Sequence, residues 1–274
     1  MASVPNKVLE RLAAGIKQFQ PILSAAKTRD AGEADTVTIV KDMLAEIFGY
    51  NKYSEVTSEH AIKGTYCDLA IKMDEKIQTL IEVKAIGLEL KDTHVKQAVD
   101  YAANQGVEWV LLTNGVSWRI YQITFAKPID QELVVDLDFL SLNAKSSNDV
   151  EMLYLWCKEA WGRSVLGEYQ AQKQALSRFF LGAVLVTDPV LEVIRRELRR
   201  LSPEVRIEIE HIKTVLVGEV IKRDVTEGDK ANEARRKISK AANKSLRNTA
   251  AGEIKSKSAS GSSQSNTETS PASE

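Results

Sequence analysis

Two carboxylates and an amine stand at a spacing that can do chemistry. Asp68 lies in the run Tyr66-Cys67-Asp68-Leu69-Ala70-Ile71-Lys72-Met73, and Glu82-Val83-Lys84 lies in a second aliphatic run from Ile77 to Ile86. The polar triplet Asp74-Glu75-Lys76 between them predicts a β-hairpin, with those three residues as its loop and Met73 paired with Ile77. In that register Asp68 falls opposite Glu82, with Cβ atoms roughly 4.5–5.5 Å apart. Lys84 joins the same face one diagonal away, while Leu69, Ile71, Ile81 and Val83 point to the other side. Like charges opposed on a sheet destabilise it. A divalent cation removes the conflict, because hard ions such as Mg²⁺ take carboxylate oxygens and keep several waters. A lysine beside such a water can position it for attack on a phosphodiester. The competing reading is a solvated strand face with ordinary charges, and a lone Glu-x-Lys would favour it.

The elements that must hold these residues follow from the periodicity. Residues 33–48 predict a helix with Val37, Val40, Met43, Leu44, Ile47 and Phe48 along one side and Gly49 as the stop. Glu33 sits in its first turn, where either the helix dipole or a metal-directed role accounts for an acid. A strand over 53–60 leads into the hairpin, with Glu59 and His60 near the cluster. After Lys84 the pair Asp92-Thr93 predicts an N-cap for a helix over about 93–105, on which Gln97 and Tyr101 share a face. A strand at 107–112 completes a β-α-β unit with a right-handed crossover. Asn114-Gly115 turns the chain into residues 117–123, where Trp118 and Tyr121 read as core, and 129–140 supply a last strand. Ahead of all this, Val8, Leu9, Leu12, Ile16 and Phe19 predict an amphipathic helix over 4–27, broken by Pro21.

Asp68 followed by Glu82-Val83-Lys84 on the next strand resembles the PD-(D/E)xK nuclease motif. More narrowly, residues 31–140 resemble the N-terminal nuclease domain of type I restriction enzyme R subunits and its free-standing relatives. The matches run in order: Ala31-Gly32-Glu33-Ala34-Asp35-Thr36, Asp68, Ile81-Glu82-Val83-Lys84, Gln97-Ala98-Val99-Asp100-Tyr101, then Leu112-Thr113-Asn114-Gly115 with Trp118 and Tyr121. Cys67 departs from the proline of the motif's name. The resemblance implies an α/β, restriction-endonuclease-like core, a mixed central sheet flanked by helices. It also implies a Mg²⁺ ion, with Mn²⁺ as substitute, held by Asp68, Glu82 and Glu33. Lys84 would then orient the nucleophile, and Gln97 with Tyr101 would support the substrate.

Composition bounds the rest. The chain has 274 residues, 43% hydrophobic and 27% charged, with a formal net charge of −1, so no overall basic footprint argues for nucleic acid. Residues 1–145 are acidic, with 16 Lys and Arg against 20 Asp and Glu, so a bound ion and a local groove must attract DNA there. Two cysteines fit a reducing cytoplasm, and no apolar run reaches membrane-spanning length. His60, His94 and His211 lack metal-ligand spacing, which argues against zinc. The expected organisation is an amphipathic helix at 1–30, the nuclease-like domain at 31–145, a helical accessory region at 146–225 and a disordered basic and Ser-rich tail at 226–274. Within the accessory region Arg195, Arg196, Arg199 and Arg200 form basic rows that suit phosphates or merely a solvated face. Two functions stay open: a metal-dependent DNA endonuclease of restriction or defence type, and a non-catalytic nuclease-fold module that binds nucleic acid or a partner helicase or methyltransferase. A homodimer is open too. No Gly-x-x-x-x-Gly-Lys-Ser/Thr loop is present, so no nucleotide cofactor is expected.

Overall fold

The computed structural model describes residues 4–62, 65–125 and 129–242; the side chains of 59–62, 65, 66 and 97 are outside that description. It is an α/β protein built on one six-stranded mixed sheet. The strands are β1 (Val56–Ile62), β2 (Thr65–Met73), β3 (Lys76–Val83), β4 (Trp109–Thr113), β5 (Ser117–Thr124) and β6 (Asp130–Asp138). They lie side by side in chain order. All neighbours are antiparallel except β3 and β4, which are parallel. That parallel pair requires a crossover, supplied by a helix over Asp92–Gln105. Two helices precede the sheet, α1 (Asn6–Thr28) and α2 (Glu33–Glu46), so the crossover helix is α3.

Strand alternation gives the sheet two apolar faces. Leu69, Ile71, Ile81, Val83, Leu111, Trp118 and Ile120 pack with α1 and α2 residues on one side. Ala70, Leu80, Val110, Leu112 and Tyr121 pack with Val95, Ala98, Val99 and Ala102 of α3 on the other. Pro21 does not break α1, which is helical on both sides of it. Buried Val8, Leu12, Ile16 and Phe19 before it, and Leu23 and Ala26 after it, offset the roughly 3 kcal/mol that an interior proline costs.

The hairpin turn differs from the expected three-residue loop. Only Asp74 and Glu75 form it, both in the left-handed region at φ 49° and 61°, and Met73 pairs with Lys76 instead of Ile77. A two-residue turn of that handedness matches the twist of the strands it joins. An irregularity between Ile71 and Lys72 then shifts the register by one residue, so that Leu69 pairs with Ile81. The two differences cancel, and Asp68 still comes level with Glu82.

The described residues form two compact units, divided between Gln170 and Ala171. Helices α4 (Ser147–Tyr154), α5 (Lys158–Trp161) and the start of α6 (Val165–Ala175) belong to the first unit. Together with the turn between α4 and α5, which carries Trp156, they bury Val150, Leu153, Tyr154, Trp156, Ala160 and Leu166 in the core of the sheet's α1 face. Arg11 ties this layer together. Its guanidinium grips both oxygens of Glu159 at 2.8 Å, and its Nε donates to the Ile47 carbonyl at the end of α2. The guanidinium lies 2.9 Å from where a Cβ on Gly49 (φ +82°) would stand. Arg11→Ala should cost about 1–2 kcal/mol by denaturant unfolding, a figure held down by the partial exposure of the pair.

The second unit contains α7 (Arg178–Leu185), α8 (Asp188–Leu201), α9 (Ile209–Val215) and α10 (Arg223–Thr226). Three of the α8 arginines pair with neighbours on the same helix: Arg195 with Glu192, and Arg196 and Arg200 with Glu197. That is the solvated-face arrangement. Residues 229–242 are helical, with Ala231 and Ala234 buried, so the segment read as disordered from 226 contains ordered structure. Those two alanines give it an apolar contact that the Lys-rich composition hides. The remainder, 243–274, lies outside the described residues. Among the described residues no helix is long and apolar enough to cross a membrane.

Candidate active site

The strand ends bring the polar residues together. The backbone pairing of β2 with β3 reaches Leu69 and Ile81, and beyond it the Asp68 side chain takes over: Oδ2 accepts from the Val83 amide at 2.7 Å. A carboxylate thus completes a ladder that the diverging strand leaves open. Lys84 follows directly after β3, its backbone amide held by the Thr113 carbonyl of β4 at 2.8 Å. Its ammonium donates to Glu82 Oε1 at 2.6 Å and lies 3.6 Å from Glu33 Oε2. Glu33 is the first residue of α2 and half exposed, so the acid that the dipole alone could explain also reaches the cluster.

Glu82 is the electrostatic anomaly. Its side chain is 8% exposed, and its second oxygen, Oε2, is buried with no hydrogen-bond partner. Burial raises its pKa, the negative charges of Asp68 and Glu33 add to that, and the Lys84 hydrogen bond opposes it. Asp68 is raised too, first by burial and then by Glu33, against the Val83 amide and Lys84. Burial works to lower the pKa of Lys84, but its hydrogen bond to Glu82 and the surrounding carboxylates outweigh it, so the ammonium form is favoured. Three carboxylates therefore face one ammonium.

The donor set suits a hard cation. Carboxylate oxygens are what Mg²⁺ takes, two carboxylates suffice when waters fill the remaining positions, and an unpartnered buried oxygen is costly unless something binds it. Among the described residues no group of three His, Cys, Asp or Glu converges as a ready-made ligand set. Glu33 meets the pair through Lys84, so the direct three-acid set is not preassembled.

Tyr101 is buried between α3 and the sheet, in the same layer as Cys67 and Ala98. Gln97 lies on α3, and its side chain is outside the described residues. The same holds for Glu59 and His60. Glu46 accepts from Gln18 at 2.6 Å on the surface. His94 acts at a helix start: α3 begins at Asp92, the Lys91 amide donates to His94 Nδ1, and the Asp92 carboxylate accepts from the Tyr121 hydroxyl at 3.2 Å. Cys67 is no nucleophile, since burial first and then the charges of Glu82 and Asp68 push its thiol up to about 12.

Sequence reasoning missed Thr36 and Asn114, two buried polar residues beside the cluster. Thr36 Oγ1 accepts from the Ile86 amide at 3.1 Å, and Asn114 Nδ2 donates to the carbonyls of Ile86 and Leu88. Thr36 carried only a weak signal, a hydroxyl on the apolar side of a helix. Asn114 was masked by its reading as a turn residue.

A mixed sheet that sets a buried acid and a lysine at the end of its third strand, beside an acid of its second, defines, as a class, an α/β protein with a buried cluster of carboxylates around one ammonium. Residues 39–135 match the model of the type I restriction enzyme R protein N terminus, which is consistent with a nuclease domain of that kind. The match spans Asp68, Glu82, Lys84, Gln97 and Tyr101; Glu33 lies just before it. No curated protein and no solved structure matches the chain.

Proposed function

We propose that this chain is a Mg²⁺-dependent DNA endonuclease of restriction or defence type, of the PD-(D/E)xK kind, which also accepts Mn²⁺. The observation that carries the reading is the buried, unpartnered Oε2 of Glu82 beside Asp68 and Lys84. Asp68 and Glu82 would hold the ion, and Glu33 would join through water. The bound ion would supply Lewis-acid polarisation of a phosphate oxygen and a more acidic water. Lys84, held at Glu82 Oε1, would orient the attacking water and face the charge that develops on the phosphate. Tyr101, from its buried place on α3, would support the substrate side of the cluster from behind, together with Gln97. The partner is DNA. A motor subunit would supply the nucleotide-driven translocation for which this sequence carries no Gly-x-x-x-x-Gly-Lys-Ser/Thr loop, and a methyltransferase subunit or a second copy of the chain would be a further partner.

The test is a cleavage assay on methylated and unmethylated, linear and supercoiled DNA with Mg²⁺ or Mn²⁺. Cutting should vanish with EDTA and fall about 10²–10³-fold in Lys84→Ala, the scale of losing one electrostatic group at a reacting centre. Equal cutting by wild type and Lys84→Ala would remove this site as the source, and binding of DNA without cutting would favour a recognition module.

A further inference from the structure

We propose that Thr36 is a positioning residue for this site, an inference that rests on the nuclease reading: its hydroxyl locks the first turn of α2 to the loop after Lys84 and so sets where Glu33 and Lys84 meet. Thr36 is completely buried in α2. Its Oγ1 donates to the Gly32 carbonyl at 2.8 Å, the ordinary bond of a helical threonine to the residue four before it. The same oxygen also accepts from the Ile86 amide at 3.1 Å. A hydroxyl can do both at once, and the second bond joins two pieces of chain 50 residues apart. Gly32 immediately precedes Glu33, and Ile86 stands two residues after Lys84.

The loop is held on its other sides as well. Asn114 Nδ2 donates to Ile86 O at 3.3 Å and to Leu88 O at 2.8 Å, while Asn114 Oδ1 accepts from Val116 and Ser117. Gly87 lies against the exposed carboxylate of Asp30, in the corner between α1 and α2. The loop is therefore held by hydrogen bonds from two sides, Asn114 and Thr36, and Thr36 is the member that reaches the Glu33 helix. Without the hydroxyl, the buried Ile86 amide loses its acceptor, at a cost of about 1–3 kcal/mol unless the loop moves outward. Movement relieves that cost and carries Lys84 away from Glu33. A misplacement on the order of 1 Å lowers turnover by up to about 10²-fold without removing any reacting group.

Two variants separate position from bulk. Thr36→Val keeps the shape and removes the hydroxyl; Thr36→Ser keeps the hydroxyl and removes a methyl. With wild-type cleavage measured first, Thr36→Val should lower kcat about 10–100-fold and leave KM for DNA within about twofold. Thr36→Ser should stay within about threefold of wild type in kcat, despite its lost methyl. Hydrogen exchange in the metal-free protein gives a readout independent of cutting: the Ile86 amide should exchange at least about tenfold faster in Thr36→Val and not in Thr36→Ser. Equal kcat in Thr36→Val and wild type overturns the inference and leaves the nuclease reading intact. So does a fall in both variants that simply follows their melting temperatures. A wild-type chain that does not cut removes the nuclease reading itself, and this inference falls with it.

Discussion

Glu82→Gln should lower DNA cleavage at least about 10³-fold and, in the same tube without metal, make the protein more stable. The two effects have one cause. Glu82 is buried, one of its oxygens has no partner, and its neighbours include two further acids against a single lysine. A carboxylate so placed carries a desolvation cost that one hydrogen bond from Lys84 does not cover. The amide keeps the shape and an oxygen for Lys84 and removes the charge. The expected gain is about 1 kcal/mol, or roughly 2–4 °C in Tm for a protein of this size. An ordinary core carboxylate would give the opposite stability result, because its replacement would break a satisfied network. The measurement is a paired one: multiple-turnover cleavage with Mg²⁺, and calorimetric melting in EDTA. If the variant still cuts, Glu82 is not part of the machinery; if it melts below wild type in EDTA, the unpartnered oxygen is not the burden assigned to it.

The face pattern of the hairpin was readable because strand periodicity is strict: with Leu69, Ile71, Ile81 and Val83 committed to one side, the acids had to share the other. The route to that register was not readable. Nothing in Asp74-Glu75-Lys76 marks a two-residue turn, since neither Asp74 nor Glu75 is glycine and both adopt positive φ. The compensating irregularity near Ile71 is a property of the pair of strands, invisible in either alone. Pro21 misled for a related reason, because a local penalty was set against tertiary burial that only the fold supplies. The bond from Asp68 to the Val83 amide and the Thr36 link to Ile86 depend on where strands diverge and loops return, which spacing along one chain does not encode. The composition change near 146 marked a switch to helices but could not say that α4 and α5 complete the core of the first unit. Charge type and strand period were legible; satisfaction of individual polar groups was not.

Mg²⁺ should raise the melting temperature of the wild-type protein at neutral pH and lose that effect in acid. The folded pKa values of Glu82 and Asp68 lie above their ordinary values of 4.5 and 3.8, burial being the largest cause in each. The folded chain therefore holds these protons more tightly than the unfolded chain. Between the ordinary and the raised values it carries the extra proton, so this pair makes stability fall as pH rises through that window. Above the raised values the cost is fully present; below the ordinary values it is gone. An ion binds the charged carboxylates, so its contribution grows as the cost appears. At 100 times the dissociation constant it amounts to about 2.7 kcal/mol, or roughly 5–10 °C. Near pH 4 protons compete for the same oxygens, and the shift should shrink to less than about 2 °C. Glu159 works in the other direction: the Arg11 hydrogen bond lowers its pKa, so its contribution is present above its ordinary value and lost in acid. The raw pH curve mixes the two, and the difference between wild type and Glu82→Gln isolates the site, because Arg11 and Glu159 are common to both. That difference should be large with Mg²⁺ at pH 7.5 and small at pH 4. A Mg²⁺ shift of the same size at both pH values, or the same shift in Glu82→Gln, would place the ion somewhere other than this pair.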